Sequence, residues 1–431
     1  IKCIIIAKSP NCWLSLVFSL TILIPPLWSD QNNMKFLLIY VPNLRFSNPY
    51  KLRKVRLGDI CTITGGYAFD SHKMKQQGEY QIIKMGNLYN GIFDLSRNQS
   101  FINAPTKKEL EYLIQKNDIL ITLTGTTNKK DYGYTVQIEK PKKLLLNQRC
   151  ALIRASKVNE KYLFYLLNSN DFLKQFYASS TGGTGNQTNV SINDMLDFKV
   201  YISNENDQLK ISNILNALDK KISTQIKIIE EYVILKNSLI HRFFTMDNPK
   251  VKLSTILTEI NIKNKNKQID TVLSVSNKLG FIKQSEQFED REVASDDTSN
   301  YKIVNKGDYA YNPARINVGS IARLINYDKG IISPMYSCFK INEKKITYTY
   351  FDMFLSSFSF KRQLNKKLEG SVRQCLTFEG MLSMDIELPC IETQKSISNK
   401  IDMLNYKIKL ESDYREALIK QKQFLLNNMF I

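Results

Sequence analysis

The chain of 431 residues is long enough for two or three domains, each with its own hydrophobic core. Its 60 Lys and Arg residues outnumber its 41 Asp and Glu residues, and the formal charge of +19 predicts a polyanionic partner, the alternative being a solvated basic surface. Seven cysteines without a CxxC pair and two histidines argue against a structural metal site and favour a reducing, cytoplasmic location.

Residues 1–40 differ in character from the rest of the chain and precede the first predicted module. The apolar run Trp13–Ile24 follows Lys2 and Lys8, as in a secretory signal, but it is too short to span a bilayer. Met34 offers an alternative start of translation, and we therefore interpret residues 1–33 as an artefactual extension. We expect no membrane association.

Residues 41–203 are predicted to form a first module of strands and one helix. Apolar runs between turn residues predict the strands, and an apolar face at helical spacing predicts the helix. A loop rich in Gly, Thr and Asn, Ser179–Asn189, follows that helix. The predicted strands are Gln81–Lys84, Ile119–Leu123, Tyr134–Ile138 and Phe198–Ile202, and the predicted helix is Glu160–Tyr177.

Residues 204–246 carry the pattern of a long helix. Apolar residues recur at alternating steps of four and three, which is typical of a coiled-coil seam, and Gln225 occupies one seam position as a register-setting residue would. The alternative is a helix packed on the core of its own domain. The apolar seam positions are Ile211, Leu215, Leu218, Ile222, Ile229, Tyr232 and Leu239.

Residues 247–390 repeat the order of the first module. The segment Lys306-Gly307-Asp308-Tyr309 stands where Lys116-Asn117-Asp118-Ile119 stood, and a loop at Gly370–Gln374 takes the place of the earlier Gly/Thr/Asn loop. The predicted strands are Tyr309–Tyr311 and Ile321–Ile325, and the predicted helix is Tyr350–Leu364.

Residues 391–431 repeat the long helix. Moving forward by 186 positions from Gln208 and Ile211 leads to Gln394 and Ile397, and Glu411 takes the polar seam position of Gln225. The apolar seam positions of this second copy are Ile397, Ile401, Leu404, Ile408, Leu418 and Leu425.

These patterns predict an α+β protein with two similar modules separated by two long antiparallel coiled-coil helices and an internal pseudo-two-fold repeat. The second helix starts where the second module ends, so packing of the two helices requires opposite directions. A helix of about 37 residues is about 55 Å long, whereas successive major-groove faces of duplex DNA lie about 34–36 Å apart. The helix pair is therefore long enough to hold two DNA-reading modules about one turn apart.

The sequence contains no residue set that predicts catalysis. Tyr311-Asn312-Pro313-Ala314 approaches the Asn-Pro-Pro-Tyr tetrad of adenine methyltransferases but lacks the second Pro and the Tyr, and no glycine-rich cofactor turn precedes it. Thr181-Gly182-Gly183-Thr184-Gly185 lacks the Gly-Lys-Ser/Thr ending of a phosphate-binding loop and is predicted to be a mobile surface loop. We predict a non-catalytic chain that binds no metal or cofactor.

The duplicated order of module, helix, module and helix resembles the specificity subunit of Type I restriction-modification systems. The stretches Val41–Phe46 and Val55–Ile60 are similar to the usual opening of that family. Its spacer motif resembles Gln208-Leu209-Lys210-Ile211, with Leu218–Ile222, and Gln394-Lys395-Ser396-Ile397. The resemblance covers about residues 41–431.

The resemblance implies a subunit that reads a bipartite site in double-stranded DNA, with one target-recognition domain for each half-site. It also implies that the helices dock two methyltransferase subunits, that restriction/translocase subunits join the complex, and that S-adenosylmethionine, ATP and Mg are bound by those partners. Two alternatives stay open. One is a coiled-coil scaffold for two partner proteins without specific DNA binding, and the other is an orphan specificity subunit without a working nuclease partner.

The candidate DNA-binding residues are basic and polar side chains of the predicted loops. Arg and Lys recognise guanine and Asn and Gln recognise adenine, while Ser, Thr and Lys hold phosphates. The alternative is that these are ordinary solvated loops. The candidates are Lys84, Asn87, Thr126, Asn128, Lys129, Lys130, Thr184, Asn186 and Gln187 in the first module, and Asn312, Arg315, Asn317, Ser320, Arg323, Ser371, Arg373 and Gln374 in the second.

Overall fold

The computed structural model describes residues 52–182, 186–244, 248–287, 297–368 and 374–430. They belong to two compact units, the first ending at Lys220 but including residues from Ile419 onwards, and the second running from Lys221 to Leu418. Helices and sheets occur in both units, which confirms the α+β class. The predicted extension 1–40 and residues 41–51 of the predicted first module lie outside the described residues.

The first unit combines small sheets with short helices. Its strands are β1 Arg53–Arg56, β2 Cys61–Gly65, β3 Tyr80–Ile83, β4 Phe101–Ile102, β5 Ile119–Thr122, β6 Thr124–Thr126, β7 Thr135–Gln137, β8 Leu144–Leu146, β9 Cys150–Ala155, β10 Thr181–Gly182, β11 Gln187–Asn189 and β12 Lys199–Ile202. Its helices are α1 Lys107–Leu110, α2 Glu160–Leu166, α3 Asn170–Ala178, α4 Ile192–Asp197 and the first part of α5 Glu205–Phe243.

The core of the first module lies between two of its sheets. One sheet has the strand order β2-β9-β5-β7, and the other has the order β4-β3-β8. Ile83 of one sheet and Leu120 of the other are fully buried in a shared apolar cluster. Strand β5 is buried at every position, which explains its continuous apolar sequence.

The second unit contains the remaining elements. Its strands are β13 Lys250–Lys252, β14 Leu257–Ile260, β15 Val272–Ser276, β16 Gly280–Lys283, β17 Lys302–Asn305, β18 Tyr309–Tyr311, β19 Ile321–Arg323, β20 Lys329–Ile332, β21 Ser337–Ile341 and β22 Asp385–Glu387. Its helices are α6 Gln284–Gln287, α7 Tyr348–Ser356, α8 Phe358–Lys367, α9 Phe378–Leu382, the later part of α5 and most of α10 Ile391–Met429.

The sheet orders of the first unit recur in the second. The order β14-β21-β18-β19 corresponds to β2-β9-β5-β7, and the pair β13-β22 corresponds to β1-β12. The third sheet, β16-β15-β20-β17, again contains one parallel pair, β15 with β20, as β3 pairs with β8. The predicted strands are confirmed in both modules to within two residues at either end.

The prediction of a single helix before each Gly-containing loop was wrong in both modules. The first predicted helix is divided into α2 and α3, and the second is divided into α7 and α8. At each break a serine caps the second helix, because the hydroxyl of Ser169 accepts from the Phe172 amide and that of Ser357 accepts from the Phe360 amide. The apolar spacing continues across the break and therefore conceals it.

Two helices of 39 residues each, α5 and α10, occupy the predicted spacer stretches. In the second unit Gln225 donates a hydrogen bond to Glu411, and Lys236 Nζ lies 3.3 Å from Asn405 Oδ1. Lys236 follows Gln225 in α5, whereas its partner Asn405 precedes Glu411 in α10. The helices therefore run antiparallel there. In the first unit Lys422 Nζ contacts Asp219 Oδ1 at 2.6 Å.

The predicted seam residues face inward to different degrees. Buried positions are Ile211, Leu215, Leu218, Ile397, Ile401, Leu418 and Leu425. Partly buried positions are Ile222, Ile229, Tyr232, Leu239, Leu404 and Ile408. Gln225 is also buried, so its hydrogen bond to Glu411 satisfies a polar group inside the helix pair.

The duplicated glutamine makes the same contacts in each unit. Gln208 Oε1 accepts from the backbone amide of Asn159, the N-cap of α2, and its Nε2 donates to the Ser203 carbonyl. Gln394 Oε1 accepts from the amide of Thr347, the N-cap of α7, and its Nε2 donates to the Pro389 carbonyl. Each glutamine therefore fixes a long helix to the helix of the module that precedes it.

Candidate nucleic-acid interface

Three loops of the first module leave the same edge of its sheets. Strands β3 and β8 are parallel, with Ile83 opposite Leu146, so the segments that follow them start side by side. Strand β5 ends at Thr122, which pairs with Cys150 at the start of β9. The turn from β8 to β9, residues 147–149, therefore lies between the loop after β3 and the loop after β5.

Two of the predicted DNA-binding loops form one small sheet. Strand β11 pairs with β6 on one side and with β10 on the other, and the Thr127 amide donates to the Asn186 carbonyl at 2.9 Å. The predicted loops thus contain strands, which corrects the prediction that Thr181–Gly185 is only a loop, although Gly183–Gly185 lie outside the described residues. The candidates Asn128, Lys129, Lys130, Asn186 and Gln187 are all exposed on this sheet or its turns.

Asp131 fixes the shape of the loop after β6. Its carboxylate accepts from the amide and from the hydroxyl of Thr126, both at 2.7 Å. Burial raises the pKa of Asp131, but the hydrogen bonds from Thr126 outweigh it and hold that pKa below its usual range. The hydroxyl of Thr126 is therefore engaged within the loop, whereas Asn128, in the left-handed region with φ of 62°, is exposed.

Lys84 and Asn87, both predicted to contact DNA, have structural contacts instead. The buried Asn87 side chain accepts from the Lys84 amide and donates to the carbonyls of Asp94 and Arg97. Lys84 Nζ lies 2.7 Å from Ser100 Oγ. Both side chains shape the loop after β3, and neither is retained as a base-reading candidate.

The loop after β3 instead presents an aromatic and basic surface that the sequence analysis missed. Tyr89 is 54% exposed, and the Arg97 guanidinium lies 5.8 Å from its ring centroid. The Tyr89 ring also contacts Tyr134 edge to face, which joins this loop to the one after β5. The sequence signal was Tyr89 beside the turn residues Asn90-Gly91, with Arg97 a few positions later. Aromatic rings and basic groups together bind nucleic acids.

The second module places three loops at the corresponding edge. Strands β15 and β20 are parallel, with Leu273 opposite Ile332, and β18 ends at Tyr311, which pairs with Ser337. The Ser320 hydroxyl donates to the Val275 carbonyl and ties the loop after β18 to the end of β15. The loops are residues 277–279, 312–320 and 333–336.

The candidates of the second module divide into exposed and internal groups. Arg315 and Asn317 are exposed on the loop after β18. Gln374 is also exposed, and its segment is attached to this loop by a hydrogen bond from the Leu376 amide to the Pro313 carbonyl. Asn312 and Ser320 are buried; the Asn312 side chain accepts from the Ala314 amide inside the loop, and the Ser320 hydroxyl donates to the Val275 carbonyl of β15. The last two therefore maintain the shape of the loop.

Arg323 belongs to an internal cluster. Its guanidinium contacts Asp352 Oδ2 at 2.8 Å and lies 4.8 Å from the ring centroid of Tyr348. The Tyr309 hydroxyl donates to the other oxygen of Asp352, and burial raises the pKa of that carboxyl. Arg323 is therefore occupied in the second module and is not retained as a base-reading candidate. The remaining candidates Thr184, Ser371 and Arg373 lie outside the described residues.

Neither a metal cluster nor a membrane span occurs in the part of the chain that the structure describes. No group of three or more His, Cys, Asp or Glu side chains is arranged to hold a metal ion there. Within the same residues, every helix is too short or too polar to cross a bilayer. The candidate functional groups of the described residues are therefore the exposed basic and amide side chains of the loops.

Comparison with known proteins finds a family model and a relative that match this chain. A model of the Type I restriction modification DNA specificity domain matches residues 49–231. The specificity subunit of the Type I restriction enzyme MjaVIII from Methanocaldococcus jannaschii is 22% identical over 406 residues, which are 86% of this chain and 90% of that protein.

Solved structures share the fold. The crystal structure of a Type I restriction-modification S subunit from M. genitalium has a TM-score of 0.53 at 14% identity and covers 90% of this chain and 99% of its own. A structure concerned with assembly and conformational transition of the type I R-M system has a TM-score of 0.55 at 14% identity. The match covers 88% of this chain and 98% of that chain.

The matched domain defines a protein that determines DNA specificity in restriction-modification. The chain carries the DNA specificity domain of Type I restriction modification at residues 49–231, and over most of its length it is similar to a Type I specificity subunit. It is a non-catalytic subunit that recognises DNA sequence within a restriction-modification complex, and the alternative of a scaffold without DNA binding is not favoured.

Proposed function

We propose that each module reads one half of a bipartite DNA site with the loops at its sheet edge. The observation that carries this proposal is that three loops meet at the same edge of the same sheet order in both modules. Among the sequence-predicted candidates, exposed amide and basic side chains remain at both edges, including Lys129 and Asn186 in one and Arg315 and Asn317 in the other. Such groups contact phosphates and base edges.

The helices α5 and α10 are proposed to set the gap between the half-sites and to dock two methyltransferase subunits. Large apolar side chains exposed on α5 support docking, because such side chains mark protein interfaces when they cluster. Val233, Ile234 and Leu235 are 36%, 64% and 46% exposed, and Met403 and Tyr406 are exposed on α10. Restriction/translocase subunits would complete the complex, with S-adenosylmethionine, ATP and Mg on the partners.

The proposal is tested by binding of the assembled complex to duplex DNA. We expect binding that weakens steeply as salt rises, because loop Lys and Arg residues displace condensed counterions. A library with two randomised segments at variable spacing should yield two separate preferred sequences. A single uninterrupted preferred sequence would contradict the division into two reading modules.

A further inference from the structure

The turn between β8 and β9 has a fixed backbone and outward side chains. The Asn147 amide donates to the Ile83 carbonyl at 3.0 Å, and the Gln148 amide donates to the Tyr67 carbonyl at 2.9 Å. The Arg149 carbonyl accepts from the Leu123 amide at 2.9 Å. The backbone is thus attached to the end of β3 and the start of the loop after β5, whereas the side chains of Gln148 and Arg149 are exposed.

Arg149 adopts a backbone conformation that its side chain disfavours. Its φ is 73°, in the left-handed region, where the Cβ of any residue other than glycine is crowded by the backbone. The turn is also crowded from behind, because a Cβ on Gly66 would lie 2.0 Å from the Asn147 carbonyl oxygen. Strain of this kind is retained where the surroundings hold it, and it is common at functional sites.

The Arg149 guanidinium is available for a ligand. Arg154 in the next strand contacts Asp118 at 2.8 Å, and Arg97 contacts Asp94 at 3.2 Å. Arg149 forms no ion pair with any residue within the described ranges. Its turn starts between the loop that carries Tyr89 and the small sheet that carries Lys129, at the centre of the edge assigned to DNA.

We propose that Gln148 and Arg149 read bases of the half-site of the first module, an inference that rests on the proposed function. Arg donates two hydrogen bonds to the O6 and N7 of guanine, and Gln pairs with the N6 and N7 of adenine. Accurate reading requires a side chain on a fixed backbone, which the three hydrogen bonds of this turn supply. The ligand is therefore a guanine and an adenine edge in the major groove.

The second module has no such pair at the same position. Tyr311 pairs with Ser337 as Thr122 pairs with Cys150, so Tyr336 takes the place of Arg149. Tyr336 is buried, and Met335 before it is 60% exposed. The effect of changing Arg149 is therefore confined to one half-site.

The test uses the complex with its methyltransferase subunits and a DNA library carrying both half-sites. Arg149→Gly removes the side chain and relieves the left-handed strain, so the variant should melt no lower than the parent. We expect roughly 10- to 100-fold weaker binding to the preferred site, with relaxed preference at one base pair of one half-site. Gln148→Ala should relax a different base pair in the same half-site.

The matched control is Lys142→Ala, an exposed residue two positions before β8 and so at the opposite edge of the sheet. It loses the same charge and should keep the sequence preference. Unchanged preference in Arg149→Gly, or equal weakening on every sequence, would overturn the base-reading role. Absence of a two-part preference in the parent complex would instead contradict the proposed function itself.

Discussion

Asn87 and Asn186 have the same side chain and opposite roles. The Asn87 amide is buried and makes three hydrogen bonds to the backbone of its own loop, whereas Asn186 is exposed beside β11. Both were candidates from sequence, since local polarity does not show which way a loop side chain turns. Burial shows that Asn87 maintains the shape of its loop, whereas Asn186 lies on the surface.

Replacing each with Ala separates the two roles. Asn87→Ala leaves partly buried backbone groups without their partner and should lower the free energy of unfolding by about 1–3 kcal/mol, measured by denaturant titration. Asn186→Ala should leave stability within about 0.5 kcal/mol and weaken binding to duplex DNA. Equal stability of the two variants would contradict the structural role of Asn87.

At the scale of elements, Gln208 and Gln394 attach the long helices to their modules. Each is buried and bonds to the N-cap of a module helix and to the segment before its own helix. We expect Gln208→Leu and Gln394→Leu each to destabilise the protein by about 1–3 kcal/mol, because Leu leaves the same buried groups unpaired. Thermal unfolding of the two variants measures the effect, and a large loss in only one of them would contradict the shared role.

The exposed apolar stretch of α5 gives a second prediction at this scale. Ile234 is 64% exposed, so Ile234→Lys should leave the melting temperature unchanged but weaken co-purification with the methyltransferase subunit. Asn237→Lys, also exposed and three residues away, adds the same charge and serves as the control. Equal retention of the partner by both variants would exclude this stretch from docking.

Elements with strong local patterns were predictable, and their interruptions were not. The buried run of β5 and the repeated spacing in α5 are fixed by apolar residues alone. Ser169 and Ser357 end a helical pattern only because each caps the next helix, and a serine inside such a pattern is ambiguous. The convergence of loops depends on parallel pairing of β3 with β8, which joins segments about sixty residues apart.

At the scale of the whole molecule, the proposed spacing role predicts a change in site length. A four-residue insertion in α5 near Gln225, with a matching insertion in α10 near Glu411, adds about 6 Å to each helix. We expect the unspecified gap between half-sites to grow by about two base pairs while both half-sites stay the same. Four substitutions to Ala at the same places serve as the control, and an unchanged gap in the insertion variant would contradict a spacing role.

The central claim, one reading module for each half-site, is tested most directly by sequencing methylated adenines in DNA modified by the assembled complex. The account predicts a bipartite motif with an unspecified gap, in which Arg149→Gly relaxes one half and leaves the other intact. A continuous methylated motif, or relaxation of both halves by this one substitution, would contradict it.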